Sequence, residues 1–109
     1  MPATPGISTA TPTGTITALP PKVSSASTTS KVSVGNTSTS VLSANANRAL
    51  AILVNDSDEE IYVYYGATAV INEGIRLNAE GGSVVEDNYT GVITAICSSG
   101  SKNLTVTEL

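Results

Sequence analysis

The sequence predicts an all-β protein: a small antiparallel β-sandwich or barrel that carries an extended N-terminal arm. Three observations lead there. The bulkier apolar residues are mostly Val, Ile and Leu, with four Tyr and neither Phe nor Trp among 109 residues; β-branched residues without large rings suit thin packed layers. From residue 31 onward, short apolar runs alternate with clusters of Gly, Asn, Asp and Ser, the signature of short strands joined by tight turns. Ahead of that point the chain is rich in Pro, Ser, Thr, Ala and Gly and nearly devoid of bulk, so it cannot bury itself. The predicted division is an arm over residues 1–30 and a sandwich domain over 31–109.

Within the arm, "STATPTGTITA" places Thr9, Thr11, Thr13, Thr15 and Thr17 at strict period two, so an extended chain shows them along one side. The "LPPK" that follows is a stiff joint favouring polyproline geometry. Ordering such a segment costs roughly 1–2 kcal/mol per residue, and its small side chains return little burial. It is expected to gain order on a neighbour, as a strand added to the edge of another protein's sheet. The residues expected to bind that partner are Ile7, Thr9, Thr11, Thr13, Thr15, Ile16, Thr17, Leu19, Lys22, Val23, Lys31 and Val32.

The strands follow in order. "KVSV" stops at "GN", and "TSTSVLS" stops at "ANAN". "RALAILVN" ends at the polar "NDSDEE", which reads as a solvated hairpin turn, and "IYVYYG" ends at a glycine. "GIRL" lies between "NEG" and "NAEGG", whose glycines suit a tight turn with positive φ. "SVVE", "TGVITAIC" and "NLTVTEL" complete the set. No window has helical periodicity, and "ANANRALA" is the sole helix-tolerant run.

Several of these strands are apolar on both sides. Leu50, Ile52 and Val54 oppose Ala49, Ala51 and Leu53; Ile61, Val63 and Tyr65 oppose Tyr62 and Tyr64; Val92 and Ile96 oppose Ile93, Ala95 and Cys97. A sheet with one wet face alternates more cleanly, so the outer faces are expected to be covered, by loops and arm or by another subunit. A folded unit this short has a marginal core of its own, and oligomerisation is a usual remedy. Arg48, Leu53, Tyr62, Tyr64 and Arg76 are the subunit-interface candidates, with the arginines pairing to acids within or across subunits.

Charge and composition narrow the chemistry. The net charge is −4, every acid lies at or beyond Asp56, and Lys22 and Lys31 are the cations ahead of Arg48. Two lysines are too few to track a phosphate backbone, so no nucleic-acid partner is expected. No apolar run approaches the roughly 18 residues of a membrane helix, so no membrane partner is expected either. "MPATPGIST" lacks the features of a secretion signal, which points to synthesis in a reducing cytoplasm.

The chain has no His, which removes the commonest general base and most zinc sites. Cys97 sits in an apolar run and is expected to be a buried structural thiol. Glu73, Glu80, Glu86 and Asp87 could pair for sugar hydrolysis, but so small a domain hardly forms the cleft that this needs. Asp56 and Asp58 alternate as calcium ligands do, without the glycine and distant Glu of a helix-loop-helix site. No enzymatic activity, metal or cofactor is expected.

From Arg48 onward the chain resembles a small β module of tailed-bacteriophage virion proteins. An Arg opens a strand that ends in Asn (Arg48, Asn55), and an aromatic strand ends in "YYGATA". "GIRL" at Gly74 to Leu77, the Gly81-Gly82 turn, Tyr89-Thr90-Gly91 and the closing Leu104 to Glu108 complete the match. The resemblance covers residues 45–109. It implies a non-enzymatic virion component, often trimeric, of the capsid decoration (cement), head-fibre or tail-adaptor type. The expected partner is then the major capsid protein or another virion protein, and the expected location is the virion, assembled in the host cytoplasm. A carbohydrate-binding attachment module is a further alternative. It would display Tyr side chains near loops such as Asn88-Tyr89 for stacking on sugars.

Overall fold

Short runs of alternating large and small side chains make strands with one buried face, and the core that results here is aliphatic. A computed structural model describes residues 23–109. Its strands are β1 (Thr28–Val34), β2 (Thr39–Leu42), β3 (Ala51–Asn55), β4 (Ile61–Tyr65), β5 (Ile75–Leu77), β6 (Ser83–Glu86), β7 (Ile93–Cys97) and β8 (Lys102–Glu108). Each falls on or within two or three residues of a run named above. They form two four-stranded sheets, the first in the order β1-β8-β3-β6 and the second in the order β2-β7-β4-β5. All pairings are antiparallel. The protein is an all-β sandwich.

The path between sheets departs from a run of hairpins. Among the described strands, β4–β5 is the one consecutive pair that shares a sheet; the others cross from one layer to the next. The "NDSDEE" loop is therefore not a hairpin turn. It carries the chain from β3 in the first sheet to β4 in the second, where each strand finds two ladder partners.

The space between the sheets is filled by Val34, Val41, Ala51, Leu53, Ile61, Val63, Leu77, Ile93, Ala95, Cys97, Leu104 and Val106. Leu53 is fully buried among them, which corrects its assignment to an outer face: Leu53 shares its side of β3 with Ala51 and Asn55, and that side points inward. Burying a side chain of this size is worth about 1.5–3 kcal/mol to the monomer. It has nothing left to offer a neighbour.

The outer faces are partly covered and partly bare. Thr94 points outward from β7 yet is buried, because residues 66–71 fold back across it. Its Oγ1 donates to Gly66 O at 3.0 Å, and the Ala69 amide reaches Ser38 Oγ at 2.8 Å. Ile52, Val54, Tyr62 and Ile96 are half-buried, while Tyr64 and Val85 are exposed.

β1 begins three residues ahead of the expected domain boundary. Lys31 and Val32 lie inside it, opposite Thr105 and Leu104 of β8; Lys31 is exposed, and Val32 packs against the core. Val23 is 87% exposed. The other arm candidates, Ile7, Thr9, Thr11, Thr13, Thr15, Ile16, Thr17, Leu19 and Lys22, lie outside the described residues.

Two turn positions test this architecture. Gly74 has φ +91°, and a Cβ there would sit 2.5 Å from Val63 O. Gly74→Ala is expected to cost about 2 kcal/mol or more. Ser101 adopts φ 65° in the exposed β7–β8 turn, so Ser101→Gly is expected to stabilise by about 0.5–1 kcal/mol. Denaturant midpoints of the two variants should move in opposite directions.

Candidate functional site

Polar side chains that enter a thin aliphatic sandwich must find partners there, and two do so, one at each end. The first is Arg48. Asn45 donates its amide to Thr90 O at 2.8 Å, and the Arg48 amide donates back to Asn45 O at 3.0 Å. This turn sets Arg48 facing inward, 2% exposed. Its Nε pairs with Glu108 Oε2 at 2.8 Å, NH1 donates to Tyr89 O and Gly91 O at 3.0 Å, and NH2 donates to Ser43 O at 2.6 Å. The guanidinium thus joins the end of β8 to the links that flank β2 and β7. Arg48 is corrected from a subunit-interface residue to an intrachain clamp, because these bonds turn its charge away from the surface.

Beside the clamp, Tyr89 stacks on Tyr65 with centroids 5.1 Å apart and donates its hydroxyl to Val92 O at 3.0 Å. Glu86 Oε2 accepts the amides of Asn88 at 2.7 Å and Tyr89 at 2.8 Å. Tyr89 is therefore half-buried and structural, not the exposed platform that sugar stacking would use. Burial first, and then the Glu86 charge and hydrogen bond, push the Tyr65 hydroxyl up to about 12.

Asn55 closes the other end. Fully buried, it donates Nδ2 to Glu59 O at 2.7 Å and Leu77 O at 2.9 Å, and its Oδ1 accepts Ser57 Oγ at 2.6 Å. Its main chain is held by Gly82 O at 2.7 Å and the Gly81 amide at 2.8 Å. The β3–β4 loop around it spends its charges locally. Asp58 pairs with Lys102 at 2.7 Å, Asp56 accepts from Asn103 at 3.2 Å, and Glu59 accepts from Ser99 Oγ at 2.5 Å. The Lys102 hydrogen bond and charge hold the Asp58 carboxyl below its usual range. Among the described residues, no three of His, Cys, Asp and Glu are grouped to hold a metal ion.

Cys97 is buried and free. Its thiol points at the carbonyls of Ser99, Val34 and Gly35. Burial, helped by Glu59, raises its pKa, which keeps it protonated and unreactive.

With the ends closed, a partner can reach the sheet edges and the outer faces. The edge strands are β1 and β6 in the first sheet and β2 and β5 in the second, and the longest of them is β1. It pairs with β8 on one side and, among the described residues, with no strand on the other. Thr28, Thr29, Ser30, Lys31 and Ser33 along it are exposed. One outer face is that of the second sheet, where Tyr62 stands opposite Arg76 and Ile96. Arg76 is exposed and donates Nε to Asn78 Oδ1 at 3.1 Å. Tyr64 lies on the same side with its ring folded over Gly66.

The structure brings Tyr62, Tyr64 and Arg76 together on one face and removes Leu53 and Arg48 from it. Sequence reasoning missed Glu108 as the partner of Arg48. The signal available was the position of Glu108 at the end of a strand with alternating Leu104 and Val106, on the side that faces inward.

Comparison with protein-family models, with curated proteins and with solved structures returned no match.

Two measurements probe this arrangement. Arg48→Leu strands Glu108 and buried carbonyls, and a loss of about 3–5 kcal/mol is expected in denaturant melts. Arg48→Lys should recover little, because an ammonium cannot reproduce the fork. For Tyr65, the folded pKa lies above the ordinary value of 10.0, so the neutral hydroxyl stabilises the fold. That contribution is complete below pH 10.0 and is lost as the pH rises toward about 12. Alkaline melts should show the loss in the wild type and a smaller one in Tyr65→Phe.

Proposed function

We propose that this protein is a non-enzymatic structural component of a tailed-bacteriophage virion, a capsid decoration (cement) subunit. In this reading its N-terminal arm binds the major capsid protein and stabilises the head. The observation that carries the proposal is β1. It is an edge strand with exposed Thr and Ser along its length, and it continues a segment with Thr at every second residue from 9 to 17. An edge left with a single charged side chain is poorly guarded against further pairing. It suits a chain that works by strand addition.

The mechanism is mechanical. An extended arm laid along a neighbour's sheet edge makes main-chain hydrogen bonds, each worth on the order of 1 kcal/mol net. Three such arms on a trimer act together through effective concentration, so a grip that is weak singly becomes strong collectively. The outward-facing sandwich, with its excess of acids, keeps the coated surface soluble. Because the sandwich closes its own ends with Arg48 and Asn55, the arm can be displaced without unfolding it.

The test is deletion. Removing residues 1–22 should leave the melting transition of the sandwich in place and abolish co-sedimentation with virion particles that lack the protein. Undiminished particle binding by the truncated chain would sink the proposal.

A further inference from the structure

The outer face of the second sheet carries charges that are in no ion pair among the described residues. Tyr62 on β4 lies opposite Arg76 on β5 and opposite Ile96 on β7. The ion pairs among the described residues are Arg48–Glu108 and Asp58–Lys102, so Arg76 has Asn78 as its neighbour and no carboxylate. Glu60 is exposed immediately ahead of β4. By strand alternation it falls on the side of Tyr62, because Ile61 between them is buried. It too has no cation paired with it among the described residues. The face therefore has an aromatic and aliphatic centre, with one cation and one anion beside it, neither in an ion pair among the described residues.

Tyr and Arg at the middle of a patch are the residues that dominate protein–protein contacts. The charges say which partner fits. An acidic partner would satisfy Arg76 and repel Glu60, and a basic one would do the reverse. A surface bearing the same pair satisfies both, since contact between like surfaces sets residue i against j and j against i. The remainder of the chain is acidic, so copies repel one another elsewhere and are drawn together where a cation is presented.

We infer that a second copy of this chain docks on this face, with Arg76 of one copy on Glu60 of the other around Tyr62 and Ile96. The inference rests on the reading of the protein as an assembling subunit and names the surface through which it assembles. Around a two-fold axis the two ion pairs are reciprocal; around a three-fold axis they follow one another round the ring.

Charge reversal in the full chain tests it by sedimentation. The wild type should exceed the 11.0 kDa of a single chain. Arg76→Glu and Glu60→Arg, each alone, should weaken association by roughly tenfold or more and leave the dissociated chain folded, because both residues are exposed. Carrying both reversals in one chain, Arg76→Glu with Glu60→Arg, should restore the wild-type mass, since every contact, around a two-fold or a three-fold axis, again sets unlike charges together. An oligomeric wild type whose mass survives either reversal, or a double variant that stays dissociated, overturns this face as the contact and leaves the assembly reading intact. Reversals that abolish particle binding without changing mass assign the face to another virion protein and overturn the inference. A monomeric wild type overturns both this inference and the assembly reading beneath it.

Discussion

The sandwich depends on one buried guanidinium. Its strands cross from layer to layer at almost every connection, so the links between them must be held at the ends of the sheets. Arg48 does this at one end by taking the carboxylate of Glu108 and the carbonyls of Ser43, Tyr89 and Gly91. Withdrawing a charged group from water is costly, and it is offset here by one charged and several neutral acceptors in the planar arrangement that arginine matches. The stacked pair Tyr65 and Tyr89 and the Glu86 cap build outward from that clamp. Remove the clamp, and the last turn of β8 and the lead-in to β7 lose their common anchor.

Closing the ends internally decides what the molecule can present. The buried polar groups Arg48, Asn55 and Thr94 are all satisfied within the chain, and the acidic β3–β4 loop is tied to Lys102, Asn103 and Ser99. Recognition is left to the sheet edges and outer faces, among them the β1 edge and the face bearing Tyr62 and Arg76. These use different physics. The edge offers main-chain groups with little sequence demand, suited to an extended segment. The face offers side chains and charge, suited to a partner of defined shape. A subunit that must hold its own kind and also grip something else can use them separately.

How far the sequence is legible varies with the kind of feature. Strand positions were readable because each apolar run is short and is bounded by residues that favour turns, such as Gly74 and Gly81 with their positive φ. The connection through "NDSDEE" was not, since a polar loop between two strands looks the same whether the strands pair or part. What separates them is Asn55, whose amide reaches across to Leu77 in the other layer. For Arg48 the sequence leaves pairing within or across subunits open, and the structure pairs it within the chain. Its partner Glu108 lies sixty residues away in sequence, and no local pattern joins them.

The sequence by itself determined the all-β class, the position of every strand and which residues share a side of each strand, because alternation along an extended chain is a local property of the backbone. It did not determine which side faces in. In β3 both Ala51 with Leu53 and Ile52 with Val54 are apolar enough to be core. Tertiary structure chose the former, because Asn55 on that side completes its hydrogen bonds between the layers, while Ile52 and Val54 sit opposite Val85 and Thr105 on the outer surface. Burial is decided by what lies across the gap, and that is a property of the assembled sheets.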